Sequence, residues 1–208
     1  MKHYFLQTTR IGFSLWAEEN LNLAKTLWGN RDVAKYLTAD GIMTDSEIRN
    51  RLLLEIEQYN THGVQYFPIF KTGNNEFIGC CGLRPYDPEN DVYELGFHLV
   101  RSAWGKGYAS EAAEGMIEYA FNKIRAKKLF AGHHPENTAS RKRLEKLRFV
   151  YTHDEFYPST GLQHPSYELK QPPGTLSPEA VFSFIDPNVS QALLFSLRSQ
   201  ACRGGRTY

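Results

Sequence analysis

Gly105 and Gly107 flank Lys106 in the run Trp104-Gly105-Lys106-Gly107-Tyr108, which lies between an apolar strand-like stretch and a strongly periodic helix. Residues of this kind at this spacing suit one chemistry. Glycine lets the backbone approach a ligand closely and take conformations that a side chain forbids. The turn then brings successive N–H groups to one point, together with the unpaired donors and positive dipole end of a helix. Such a point holds phosphate. Lys106 either adds a positive charge there or simply faces solvent. Two glycines also make an ordinary tight turn. The loop is neither a GxxxxGKS/T loop nor a GxGxxG fingerprint, so by itself it names no ligand.

The elements that must position this loop are read from periodicity and turn chemistry. Ala109, Ala112, Ala113, Met116, Ile117, Ala120, Phe121 and Ile124 follow it on one continuous helical face. Val92 to Val100 precedes it as a strand, after the turn Asp87-Pro88-Glu89-Asn90-Asp91. Tyr66 to Lys71 and Glu76 to Leu83, joined by Gly73-Asn74-Asn75, read as a hairpin. Ahead of it come a strand from Ile11 to Leu15 and a helix from Glu18 to Trp28. A second helix is expected from about Asp45 to Tyr59, capped by Thr44 or Asp45, with Ile48, Leu52, Ile56 and Tyr59 at helical spacing. After the central helix, Lys128 to Gly132 reads as a strand and Asn137 to Leu147 as a helix. Phe149 to Thr152 and Ser166 to Leu169 are two final strands across a loop holding Pro158, Gly161 and Pro165. This order gives an α/β fold with a mixed sheet.

Gln171-Pro172-Pro173-Gly174 breaks the pattern, so a domain is expected over residues 1–170 with an extension of unknown role over 171–208. Within the extension Val181 to Ile185 is apolar, a helix is expected around Asn188 to Leu197, and the end at Arg203-Gly204-Gly205-Arg206 reads as flexible.

Bulk properties exclude several classes. The formal net charge is +1, which gives no broad field for nucleic acid or anionic lipid. No stretch approaches the ~18 apolar residues that would span a bilayer. The N-terminal residues turn polar at Gln7, so no signal-peptide core is expected and the chain reads as cytoplasmic. Of the cysteines Cys80, Cys81 and Cys202, the adjacent pair sits in an apolar run as small hydrophobes of a reduced compartment. No CxxC pair or His cluster suggests a metal.

Three stretches carry a family resemblance. Tyr93-Glu94-Leu95-Gly96-Phe97-His98-Leu99, continued by Trp104-Gly105-Lys106-Gly107-Tyr108-Ala109-Ser110-Glu111-Ala112, resembles the acetyl-CoA signature of GNAT acetyltransferases. It is similar in particular to the branch of the bacterial ribosomal-protein N-terminal acetyltransferases. Pro135-Glu136-Asn137-Thr138-Ala139-Ser140, continuing to Leu144-Glu145-Lys146-Leu147-Arg148-Phe149, resembles that branch's second signature. Phe77-Ile78-Gly79-Cys80-Cys81-Gly82-Leu83 resembles its hairpin strand. The likeness covers roughly residues 8 to 170.

The resemblance implies a GNAT acyl-CoA N-acyltransferase fold: a mixed, mostly antiparallel twisted sheet with flanking helices. It implies acetyl-CoA as co-substrate, no metal, and a primary amine as acceptor, either a protein N-terminus or a small molecule. A monomer or homodimer is expected. In such enzymes the strand before the loop parts from its neighbour at a bulge, and the pantetheine arm lies in the gap. Leu99 and Val100 would offer it backbone groups. Gly105, Lys106, Gly107, Tyr108, Ala109 and Ser110 would hold the pyrophosphate, and Asn137 the CoA arm. Asn137 is also a natural helix N-cap. Glu94 matches an acidic residue beside the thioester and would take the amine's proton. A backbone N–H near His98 or Leu99 would stabilise the developing oxyanion. Many members use a tyrosine seven residues after the asparagine as the acid, but Leu144 stands there; Ser140 is the branch's alternative. His98 is a second choice as base, while His133 and His134 read as structural. Residues Tyr36 to Met43 would meet the amine. Arg148 replaces the usual glycine before Phe149, at a cost of about 1 kcal/mol if that residue is left-handed. A non-catalytic acetyl-CoA-binding or interaction module is the competing reading.

Overall fold

The computed structural model describes residues 3–171. The expected extension, with Val181 to Ile185, Asn188 to Leu197 and Cys202, lies outside the described residues.

An eight-stranded sheet, with strands in the order β1-β2-β3-β4-β5-β6-β8-β7, organises the chain. Its strands are β1 (Leu6–Gln7), β2 (Ile11–Phe13), β3 (Tyr66–Lys71), β4 (Phe77–Asp87), β5 (Val92–Leu99), β6 (Lys128–Gly132), β7 (Val150–Tyr157) and β8 (Leu162–Lys170). Every neighbouring pair is antiparallel except β5 and β6, which run parallel. A parallel pair needs a crossover, and α4 (Tyr108–Tyr119) provides it. The helix α4 continues through a π-helical turn at Ala120–Ile124 and ends at left-handed Arg125.

The other helices are α1 (Leu21–Trp28), α2 (Arg31–Ala34), α3 (Asp45–His62) and α5 (Thr138–Lys146). The ends of α3 follow from its sequence. Thr44 Oγ1 accepts the Glu47 N–H while Glu47 returns a bond to the Thr44 N–H at 2.7 Å, a reciprocal capping box. Gly63, at φ 70°, stops the helix in the left-handed region.

The sheet separates two sets of side chains. Phe67 of β3 meets Tyr119 of α4 on one face. On the other, Tyr66 of β3 and Arg84 of β4 meet Arg51 and Glu55 of α3. Trp28 of α1 reaches His98 of β5 there. Trp28, Phe13, Phe67, Leu83, Met116 and Leu129 are among the large side chains buried completely in the core. Cys80 and Cys81 are buried and unbridged, and burial pushes the Cys80 thiol up to about 12. They behave as small apolar residues.

Candidate active site

Glu94 sits where the two central strands part. The β5–β6 ladder runs Val92↔Lys128, Tyr93↔Leu129, Glu94↔Phe130 and then stops. Beyond it β6 continues to pair with β8, and β5 with β4. A cavity of about 790 Å³ fills the opening, lined by β5 from Glu94 to Leu99 and by β6 from Phe130 to Gly132. The parting needs no bulge on β5: its register with β4 is regular from Leu99 to Tyr93, and the irregularity lies between Pro85 and Asp87. The expected bulge is therefore not found on β5 where it parts from β6.

The direction of the backbone groups follows from that register. Val100 N donates to Ile78 O at 3.1 Å. In an antiparallel ladder the bonding residues alternate, so His98, Gly96 and Glu94 also turn their N–H and C=O groups to β4. Leu95, Phe97 and Leu99 turn theirs into the gap. The Leu99 carbonyl accepts the Trp104 indole N–H at 2.8 Å, which anchors the loop to the strand. Val100 departs from expectation. Its N–H serves Ile78 and its carbonyl accepts the Ala103 N–H at 2.9 Å, so both groups are engaged. By the same alternation, an N–H directed at the gap belongs to Leu99 and not to His98.

The glycine loop opens α4. Gly105 and Gly107 have φ of 73° and 82°, in the left-handed region. Gly107 is the N-cap of α4 and supplies no capping side chain, so no such bond satisfies the first helical N–H groups. The loop is braced from the β1–β2 turn. Arg10 donates to the Lys106 carbonyl at 3.1 Å and to Glu111 at 2.6 Å, and Thr8 Oγ1 donates to Glu111 at 2.7 Å. Across the cavity mouth, Arg143 of α5 donates to Ser110 Oγ. Arg143 lines the cavity and adds a cation beside the loop.

Glu94, Leu99, Gly105, Gly107, Tyr108, Ala109, Asn137 and Ser140 all line the cavity. Val100, Lys106 and Ser110 do not. Lys106 is exposed, and the buried Ser110 accepts from Arg143. Asn137 Oδ1 caps α5 by accepting the Ser140 N–H at 3.1 Å. Its amide NH₂ keeps its donors for another partner. Leu144 is 2% exposed, lines the cavity and carries no hydroxyl. Of the Tyr36 to Met43 stretch, Tyr36 and Leu37 reach the cavity wall.

Around Glu94 the polar groups form a chain. Burial pushes its carboxyl above the usual carboxylate range. Arg84, the Tyr66 hydroxyl and the charge of Arg51 pull the other way, while Glu55 adds to the rise. Gly96 makes the Tyr66 contact possible, because a Cβ there would lie 2.1 Å from the Tyr66 hydroxyl. Glu55 is fully buried and accepts from Arg51 Nε at 3.0 Å, from Tyr66 N at 2.9 Å and from Arg84.

His98 shares this face with Glu94 but is not a free base. The Trp28 indole can only donate, and it donates to His98 Nδ1 at 3.2 Å. The ring proton of neutral His98 is therefore on Nε2. Burial, with Arg51 and Arg84 nearby, pushes the imidazole well below its usual range and keeps it neutral. His133 and His134, expected to be structural, both line the cavity, and His133 Nδ1 meets the His134 carbonyl at 2.8 Å.

Arg51, Glu55, Tyr66, Arg84 and Arg143 stand outside the residues expected from the sequence. Glu55 carries one signal. It lies three residues after Leu52 and seven after Ile48, which puts a carboxylate on the apolar face of α3.

The Acetyltransferase (GNAT) domain family matches residues 10–150. The chain belongs to the GNAT acetyltransferase family. This GNAT chain is 32% identical over 145 residues to the uncharacterized N-acetyltransferase p20 of Bacillus licheniformis, a match covering 69% of the chain and 81% of p20. It is 32% identical over 127 residues to the uncharacterized protein YkkB of Bacillus subtilis (strain 168), covering 61% and 73%. Among solved structures, a GNAT-family acetyltransferase from Bacillus anthracis superposes with a TM-score of 0.68 at 23% identity, over 80% of this chain and 98% of that one. The ribosomal L7/L12 alpha-N-protein acetyltransferase RimL, in complex with coenzyme A, superposes with a TM-score of 0.68 at 15% identity, over 81% and 98%. These two likenesses show the fold. The protein is an acyltransferase, and GNAT enzymes use acetyl-CoA. Among the described residues no helix is long and apolar enough to cross a membrane, and no group of acidic, His and Cys side chains could hold a metal ion.

Proposed function

We propose that this enzyme transfers the acetyl group of acetyl-CoA to a primary amine, a protein N-terminus or a small molecule, by direct attack with both substrates bound. The observation that carries this reading is the cavity in which Glu94, the glycine loop and Ser140 share one wall system where β5 and β6 part.

The residues fit acetyl-CoA. Left-handed Gly105 and Gly107, with an uncapped helix start, offer N–H groups to a pyrophosphate, and Arg143 supplies a charge. Tyr108 and Ala109 add the first helical donors, and the gap-facing groups of Leu95 and Phe97 meet the pantetheine arm. Asn137 donates to that arm through its amide. Acetyl-CoA supplies the acetyl group as an activated thioester.

The chain's own groups do the rest. An alkyl ammonium has a pKa near ~10, so a proton must leave before nitrogen can attack. Glu94 takes that proton, directly or through water, and its raised affinity for protons brings it closer to the amine's. The N–C bond forms as the C–S bond breaks, the sulfur leaves with the bonding pair, and the second proton, shed by the acylated nitrogen, passes through solvent to the CoA thiolate. A gap-facing N–H, that of Leu99, steadies the carbonyl oxygen. Ser140 donates a hydrogen bond to the departing sulfur. A serine hydroxyl is too weak an acid to do more, and Leu144 carries no phenol at the position where many members have one.

The test is CoA release from acetyl-CoA against a panel of peptide N-termini and small mono- and diamines. Turnover with one class and not the other assigns the acceptor. Acetyl-CoA binding with no turnover on any amine favours a non-catalytic binding module.

A further inference from the structure

The Glu55 carboxylate is 0% exposed and stands between α3 and the sheet. A buried carboxylate is stable only with hydrogen-bonded, charged partners, and this one has three: Arg51, Arg84 and the Tyr66 N–H. Those partners are also the neighbours of Glu94. Arg84 is the cross-strand partner of Glu94 in the β4–β5 register. Cross-strand neighbours of opposite charge ordinarily pair. Here Arg84 turns away, donates to Glu55 and lies 4.5 Å over the Tyr66 ring. Its Nε is buried and makes no hydrogen bond among the described residues, so Glu55 is the carboxylate that holds the guanidinium.

We propose that Glu55 is a positioning residue for acetyl transfer: by holding Arg84 and Arg51, it keeps Glu94 out of an ion pair and free to accept the amine's proton. The inference rests on reading Glu94 as the base.

Charge counting shows the consequence. Arg51, Arg84, Glu55 and an ionised Glu94 sum to zero, and neutral His98 adds nothing. Without the Glu55 charge, two cations face Glu94 alone. A carboxylate locked to an arginine is a weaker base and a poorer partner for an incoming ammonium. The other groups on Glu94's surroundings are Tyr66 of β3, Tyr86 of β4 and Glu155 of β7. Glu155 accepts from the Tyr86 hydroxyl at 3.2 Å and is thereby tied at the cavity mouth.

The experiment is the pH profile of kcat/KM for the wild type, Glu55→Gln, Arg84→Gln, Arg51→Gln and Glu94→Gln, each first checked for acetyl-CoA affinity as a measure of folding. Glu55→Gln keeps the acceptor oxygen and removes the charge. Its acid limb moves to lower pH, and its plateau falls roughly three- to tenfold because the base is weaker. Arg84→Gln and Arg51→Gln move the limb to higher pH. Opposite shifts from two halves of one ion pair are not what a merely structural role produces. If Glu55→Gln does not fold, Glu55→Asp takes its place: it keeps the charge but draws it one methylene back from both arginines, and it must move the limb to lower pH. A Glu55-variant limb that stays put, or that moves upward as the arginine variants' do, with Glu94→Gln inactive overturns the role of Glu55 and leaves the base reading standing. If Glu94→Gln keeps both rate and limb, the base reading falls, and this inference falls with it.

Discussion

Replacing Gly96 by alanine strikes the contact on which Glu94 depends. A Cβ at this position would lie 2.1 Å from the Tyr66 hydroxyl oxygen and 2.2 Å from ring carbon Cζ. Non-bonded carbons sit at about 3.5–4.0 Å, so the ring must retreat by more than about 1 Å. It has little room to do so. Tyr66 is 4% exposed, with the Arg84 guanidinium 4.5 Å over its ring and the His98 ring 5.7 Å away. Overpacking of this kind costs about 1–3 kcal/mol. For a domain of this size each kcal/mol is worth roughly 2–4 °C in Tm.

The retreat also moves the Tyr66 hydroxyl, whose influence favours the ionised carboxylate, away from Glu94. Its loss raises the proton affinity of Glu94 further, so the acid limb of kcat/KM moves to higher pH. The rate on the acid side falls with that shift. Thermal melts and a pH–rate profile measure the two effects. Tyr66→Phe removes the hydroxyl without the clash and separates them: it moves the limb in the same direction with a smaller change in Tm. Wild-type Tm and profile in Gly96→Ala, or opposite limb shifts in the two variants, would refute the reasoning.

The remaining predictions concern other parts of the site and its scaffold. Glu94→Gln melts higher than wild type at neutral pH. A carboxyl whose folded pKa is raised contributes stability that is present below its unfolded value and lost as pH rises through the folded one, so the advantage vanishes in acid. Arg148 is left-handed at φ 66°, and Arg148→Gly should gain about 1 kcal/mol, read as a Tm rise of roughly 2–4 °C. Gly107→Ala forces a Cβ to within 3.3 Å of Arg10 Nη2 at φ 82°, a strain of about 1–2 kcal/mol, and calorimetry should show acetyl-CoA binding weakened roughly five- to thirtyfold.

Much of the scaffold was legible because its signals are local. The apolar spacing from Ala109 to Phe121 marked α4, and Tyr66 to Lys71 appeared as β3 with those bounds. The two-residue β1 and the four-residue α2 are too short for any period to show. The β7–β8 hairpin was read too short. Most of β7 is exposed, so no buried face alternates along it, and Pro165 suggested a loop yet lies in β8 opposite Asp154. The glycine loop, Glu94 and Ser140 were legible through motif, and the cavity brings them together. Arg51, Glu55 and Arg84 were not. Their partners come from α3, β3 and β4, and no one-dimensional pattern records which buried charges meet across a sheet. Val100 shows the finer limit: one hydrogen bond to Ile78 decides which way its backbone faces.

The most direct test of the central claim, that Glu94 takes the proton of the attacking amine, is single-turnover acetyl transfer by wild type and Glu94→Gln at saturating acetyl-CoA across pH. The account predicts a variant that binds acetyl-CoA as the wild type does, transfers roughly 10²–10⁴-fold more slowly, and has lost the acid limb. A variant that transfers at the wild-type rate with the limb intact would contradict it.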